Sequence, residues 1–277
     1  MSSAPIDIER LVRQHAQTSR LLGVDFVPAY RRGVEIDSPE RPTASGVHAA
    51  SAPPVAIPPV AVPRGAPAHQ KGLDRPAAQR ALDALRDRYE RDAPHEAFVT
   101  AHTNIVFGEG DPRARLMFVG EAPGEEEDKT GRPFVGRAGQ LLNKMIEAMG
   151  LAREDVYICN VLKTRPPNNA TPTPTEAALC EPYLLEQIGI VAPEVIVTLG
   201  LPATRTLLKS DESMARLRGR WGSLALPDGR AIPVMPTYHP AYLLRNYTPE
   251  ARGKVWADLC LAMERLGLQP PKGRPAS

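Results

Sequence analysis

Four short apolar runs, each followed by a helix-patterned stretch, constrain this chain more than any other feature. Leu116 to Val119, Val156 to Leu162, Val195 to Leu199 and Ile232 to Met235 are dominated by aliphatic residues. Between the first two, Leu142, Met145, Ile146 and Met149 recur at helical spacing, with Gly150 closing the helix. A second helix starts at Thr173, with Pro174 in its first turn and Glu176 completing a capping box. Another follows Gly200 through Leu208, and the last runs from about Thr248 to Leu266. Strands buried on both faces read as continuous apolar runs. Alternated with helices, they predict a three-layer α/β/α domain around a central four-stranded parallel sheet. An earlier helix, about Pro76 to Arg91, puts Leu82, Leu85 and Tyr89 on one face.

What precedes this domain has a different character. Residues 6–22 read as a short amphipathic helix with Ile8, Leu11, Val12 and Leu22 on a shared face, suited to docking on a protein partner or on the domain itself. From about Asp37 to Leu73, Pro, Ala, Ser and Val dominate, as in Ala52-Pro53-Pro54-Val55-Ala56-Ile57-Pro58-Pro59. Proline removes backbone donors and favours extended chain, so this stretch is expected to be a disordered, semi-rigid linker. The expected organisation is therefore a helical segment over 1–36, a linker over 37–73, one α/β domain over 74–268 and a disordered tail over 269–277. Cysteines occur at 159, 180 and 260 with no C-x-x-C pair, which suits reduced thiols in a cytosolic protein rather than a disulfide framework. No run approaches the ~18 apolar residues of a membrane helix, and the N-terminus lacks the features of a signal peptide. The expectation is a soluble, cytoplasmic protein. A net charge of +2 permits nucleic-acid binding without arguing for it.

Ligands of open parallel sheets bind beyond the carboxyl ends of the strands. The first run delivers Gly120-Glu121-Ala122-Pro123-Gly124 and then Glu125, Glu126, Glu127 and Asp128. The second delivers Asn160, Lys163 and Arg165, the third ends at Gly200, and the fourth leads to Tyr238-His239-Pro240. Carboxylates, an amide and an imidazole thus gather at one sheet edge, an arrangement that would serve several classes of hydrolase.

The wider segments are more specific. Phe107-Gly108-Glu109-Gly110, Gly120-Glu121-Ala122-Pro123-Gly124 and Gly131-Arg132-Pro133-Phe134-Val135-Gly136-Arg137-Ala138-Gly139 are three of them. The others are Val156-Tyr157-Ile158-Cys159-Asn160-Val161 with Arg165-Pro166-Pro167, and His239-Pro240-Ala241-Tyr242-Leu243-Leu244-Arg245. In order and spacing, from about residue 76 to 266, they resemble family 4 uracil-DNA glycosylases. The resemblance implies an enzyme that flips deoxyuridine out of DNA, hydrolyses its N-glycosidic bond and initiates base excision repair. It implies a cytoplasmic, nucleoid-associated monomer whose substrate is uracil in single- or double-stranded DNA.

By that resemblance Phe134 stacks on the flipped base, with a core ring as the alternative. Asn160 reads the base edge, accepting from uracil N3–H and donating to O4, a pattern that cytosine reverses. The alternative for Asn160 is a loop cap. His239 donates to uracil O2 as negative charge develops there. Glu121 positions water and stabilises the sugar cation, Glu127 lines the pocket near the uracil C5 edge, and backbone N–H groups around Ala122 and Gly124 hold the base. Glu125, Glu126 and Asp128 read as a solvated acidic loop. Lys129, Arg132, Arg137, Lys163, Arg165 and Arg245 are candidate phosphate contacts, each with a surface-charge alternative. Leu243 and Leu244 resemble an apolar wedge inserted into the base stack, or else anchor their loop to the core.

One part of the family pattern is missing. The resemblance implies four cysteine ligands to a [4Fe–4S] cluster, which fall here on Ala93, Glu96, Thr164 and Cys180. One cysteine cannot hold a cluster that needs about four thiolates, so no cofactor and no metal are expected. A catalytically weak or inactive nucleic-acid-binding member of the same superfamily is the alternative reading. A Rossmann-type nucleotide enzyme lacks its G-x-G-x-x-G. The superfamily's cross-linking variant would need a basic insert before the histidine, where Pro233 to His239 is short and uncharged.

Overall fold

The computed structural model describes residues 73–269. The helix expected over 6–22, the linker apart from Leu73, and the chain from residue 270 onward lie outside the described residues. Helix α1 (Arg75–Asp92) is entered through Asp74, whose carboxylate accepts from the Ala77 N–H at 2.8 Å, with proline in the first turn. Capping of this kind stabilises a helix start by ~1 kcal/mol.

The sheet strands are β1 (Glu109–Gly110), β2 (Leu116–Gly120), β3 (Tyr157–Asn160), β4 (Val195–Leu199), β5 (Gly222–Ala225) and β6 (Ala231–Thr237). Their order across the sheet is β1-β3-β2-β4-β6-β5. β3, β2, β4 and β6 run parallel, as their apolar runs predict, and every residue of β2, β3 and β4 is buried. Two short strands add antiparallel edges, β1 on β3 and β5 on β6, so the sheet has six strands rather than four. A two-residue strand and the partly exposed Gly-Ser-Leu-Ala of β5 leave no period-2 signal to read.

Side chains alternate across the sheet as strand geometry requires. Met117 and Val119 join Leu82, Leu85, Tyr89, Leu184 and Ile188 in the core on one face. Leu116 and Phe118 join Leu142, Ile146, Val255 and Leu259 on the other. Each fully buried aliphatic side chain contributes ~1.5–3 kcal/mol relative to exposure. The covering helices are α2 (Glu125–Thr130), α3 (Arg137–Ala148), α4 (Pro174–Val191), α5 (Leu201–Leu208), α6 (Met214–Leu217), α7 (Pro240–Arg245) and α8 (Pro249–Arg265). α4 carries the expected capping box: the Thr173 hydroxyl accepts from Glu176 N–H, and the Glu176 carboxylate accepts from Thr173 N–H.

The chain moves from β2 outward to β3, then crosses back so that β4 flanks β2 on its other side. Loops on the two sides of β2 therefore diverge, which opens a crevice at the carboxyl ends of the strands. Register fixes what lies there: Gly120 is opposite Asn160, and Leu199 is opposite Thr237. Among the described residues, no helix is long and apolar enough to cross a membrane.

Candidate active site

The last residue of β2 decides the geometry of this crevice. A Cβ on Gly120 would lie 2.3 Å from Asn160 Oδ1 and 2.4 Å from Phe134 Cζ, so only glycine lets both side chains close over the strand end. Asn160 is itself buried, and its Oδ1 has no hydrogen-bond partner. An orphaned buried acceptor costs ~1–3 kcal/mol, which a ligand donor would recover.

Phe134 is buried and sits at φ +51°, a left-handed conformation that a bulky residue adopts only when its surroundings enforce it. Its ring lies 5.6 Å from the His239 ring, tilted by 35°. His239 follows β6 and caps α7: its Nδ1 accepts from Ala241 N–H at 3.1 Å. Burial, with a smaller contribution from the nearby Arg245 charge, pushes the His239 pKa down to about 4. The imidazole is therefore neutral at pH 7, and because Nδ1 is an acceptor, the proton resides on Nε2. Gly200, at φ +92°, leaves room for this residue, since a Cβ there would come within 3.1 Å of the His239 Cβ.

Glu121 follows Gly120 directly. Burial raises its pKa, while a hydrogen bond with Thr171 and the charge of Arg245 pull it down. Ala122 and Gly124 lie between Glu121 and α2, with Gly124 as the cap of that helix. Glu127 is turned toward the Phe134 loop: its Oε1 accepts from Val135 N–H and Gly136 N–H, both at 2.8 Å. Asp128 is not part of a solvated loop. It is buried, and its carboxylate accepts from the Thr103 and Asn104 amides at 2.7 and 3.0 Å, tying the preceding segment to α2.

The basic residues divide into two groups. Lys129 is exposed and paired with Glu125 and Glu126, Arg132 with Glu109, and Arg165 is held by Asn169 and Glu125. The Lys129 pairs are exposed on both partners and worth ~0–1 kcal/mol, whereas Arg132 grips Glu109 with two nitrogens, at 2.8 and 2.7 Å. Arg137 and Arg245 are exposed at the start of α3 and the end of α7. Lys163 corrects the sequence reading. It is 0% exposed, and its ammonium donates to the Asn160 carbonyl at 2.8 Å and to Gln187 Oε1 at 2.7 Å, with burial lowering its pKa. It cannot reach a phosphate; it braces the backbone of Asn160. Gln187, which donates onward to the Phe107 carbonyl and Tyr157 hydroxyl, carried no sequence signal because it lies mid-helix in α4.

The expected apolar wedge also divides. Leu243 is 3% exposed and packs into the core, whereas Leu244 is 36% exposed. Tyr242, from the same motif, is similarly exposed and stacks on Tyr238.

With this geometry in place, residues 107–260 match the model of the family described as the uracil DNA glycosylase superfamily. The chain belongs to the uracil-DNA glycosylase superfamily. It is 52% identical over 158 residues to the type-4 uracil-DNA glycosylase of Thermotoga maritima, covering 57% of this chain and 80% of that protein. Its identity to the type-4 uracil-DNA glycosylase of Sulfurisphaera tokodaii is 50% over 175 residues, covering 61% of this chain and 78% of that one. A type-5 uracil-DNA glycosylase of Pyrobaculum aerophilum is 33% identical over 152 residues, covering 50% and 66%.

The four positions where the family resemblance implies cluster ligands can be tested in this superfamily member. Ala93 and Glu96 flank His95, which stacks on Tyr89 with ring centroids 5.5 Å apart and meets His102 edge-on at 4.7 Å. Thr164 is fully buried, and Cys180 Sγ lies 3.7 Å from the Tyr89 hydroxyl. Burial pushes the Cys180 thiol up. Among the described residues, no group of three or more His, Cys, Asp or Glu side chains is arranged to hold a metal ion. The residues present do not fit a four-thiolate cluster.

Proposed function

We propose that this chain hydrolyses the N-glycosidic bond of deoxyuridine in DNA and so initiates base excision repair, acting as a monomer on nucleoid DNA and without an iron–sulfur cluster. The observation that carries this reading is the unpartnered Asn160 Oδ1 beside the Phe134 ring and a neutral His239. A flipped uracil offers the missing donor, N3–H, to Asn160 Oδ1, while the amide N–H of Asn160 donates to O4. Cytosine presents an acceptor where uracil presents N3–H, so it leaves the buried acceptor unsatisfied and is rejected. Phe134 stacks on the base, and the N–H groups around Ala122 and Gly124 lie at its edge. Glu127 Oε1 holds the loop that sets the wall of the pocket near C5.

As the glycosidic bond breaks, electrons move onto the uracil ring, chiefly to O2. The Nε2–H of His239 stabilises that charge where it develops, more strongly than it binds the ground state. Glu121 orients water toward the sugar cation, which is reactive enough to need little general-base assistance. Lys129, Arg132, Arg137, Arg165 and Arg245 contact phosphates, and Leu244 with Tyr242 fills the vacated stack. The test is incubation with uracil-containing single-stranded and duplex oligonucleotides followed by alkaline cleavage. Strand scission at the uracil position is expected; binding without scission would favour a non-catalytic DNA-binding member.

A further inference from the structure

The backbone around Phe134 is held from both sides by charged side chains, Glu127 and Arg153. Arg153 begins the short 3₁₀ turn Arg153–Asp155 between α3 and β3, and its side chain is 16% exposed. One terminal nitrogen donates to the Phe134 carbonyl at 3.2 Å and to Asn143 Oδ1 at 2.8 Å. The other donates to the Pro133 carbonyl, and Nε donates to Glu109 Oε1 at 3.3 Å. On the opposite side, the Glu127 carboxylate takes the next two amides, Val135 N–H and Gly136 N–H. The peptide groups before and after Phe134 are thus fixed by a cation on two carbonyls and an anion on two amides. Between them the phenylalanine adopts the left-handed φ of +51° that it would otherwise avoid.

We infer that Arg153 is the positioning residue for Phe134, presetting the stacking ring in the DNA-free enzyme so that the loop need not order when the base arrives. This rests on the reading of Phe134 as the stacking residue. Only an arginine fork reaches these carbonyls together; a lysine ammonium is a point charge on a flexible stem and meets them singly. Glu109 is the counter-ion, shared with Arg132. Releasing the fork lets the backbone at Phe134 relax and moves the ring. Misplacement of a reacting geometry by about 1 Å can cost on the order of 10²-fold.

The test is a double-mutant cycle in single-turnover excision from a uracil-containing duplex, with melting curves confirming folded protein at the assay temperature. Arg153→Met should slow excision about ten- to a hundredfold, and Phe134→Ala should slow it as well. If Arg153 acts through the ring, adding R153M to F134A should cost nothing further. A merely structural role would leave the R153M penalty intact in the F134A background, and that result overturns the inference, as does a wild-type rate in R153M. A wild-type rate in F134A instead overturns the stacking reading itself, and the inference falls with it. Should R153M not fold, R153K enters the same cycle, and the same outcomes decide.

Discussion

His239→Ala separates a glycosylase from a protein that only binds. In the structure Nδ1 caps α7 through Ala241 N–H, and in the proposed mechanism Nε2 presents the proton to uracil O2. Loss of a cap costs ~0.5–2 kcal/mol of stability. Loss of one transition-state donor costs about 10²–10³ in rate, or ~2.7–4 kcal/mol. His239→Asn distinguishes them, since asparagine is a good cap but too short to place a donor where Nε2 lies. Single-turnover excision should therefore fall by about 10²–10³ in both variants, while the asparagine variant recovers stability and both retain affinity for uracil-containing DNA. The pH dependence follows from the imidazole's environment. Its pKa is about 4 in the fold against an ordinary 6.5, so the unfolded chain binds the extra proton first. The stability contributed by neutral His239 is present above pH 6.5 and is lost as the pH falls toward 4. Excision should show no histidine titration step between pH 5 and 8, by contrast with an unperturbed imidazole of pKa ~6.5. An unchanged rate in His239→Ala would refute the reasoning.

Asn160→Asp should shift base choice toward cytosine, because a carboxylate accepts from cytosine's amino group and cannot donate to uracil O4; parallel rates on uracil and cytosine oligonucleotides check this, and unaltered discrimination would remove Asn160 as the reader. Purified protein should be colourless and carry far less than the roughly four irons per chain of a [4Fe–4S] cluster; visible iron–sulfur absorption with stoichiometric iron would contradict the cluster-free assignment. A chain beginning at Asp74 should fold and excise uracil like the full-length protein, because the Pro/Ala/Ser composition before it lacks the apolar surface to offset ordering entropy; a large drop in melting temperature or activity would show that the N-terminal region belongs to the core.

The central strands were legible because a strand buried on both faces has little room for polar residues, as Leu116-Met117-Phe118-Val119 illustrates. Helix starts at Thr173 and Thr248 were legible through capping chemistry, and both caps are present. The edge strands were not, since two residues or a Gly-Ser-Leu-Ala stretch carry no period. Gly120 and Asn160 were findable as candidates from their places at strand ends, His239 from its place just after one, and Phe134 through the family resemblance. Lys163 misled because lysine is almost never fully buried, and only the fold reveals Gln187 and the Asn160 carbonyl as its partners. Leu243 and Leu244 are neighbours in sequence, but about 100° apart around a helix, so one enters the core while the other meets solvent. Arg153 was invisible for a different reason. Its acceptors are backbone carbonyls nineteen and twenty residues earlier, and no side-chain pattern announces a backbone acceptor.

The most direct measurement is of the product. Wild-type protein should release free uracil, detected by chromatography, in one-to-one correspondence with abasic sites from an oligonucleotide carrying a single deoxyuridine. Matched strands carrying thymine or cytosine should release no base. Tight binding of the uracil strand without release of uracil, or equal release from all three strands, would contradict the account.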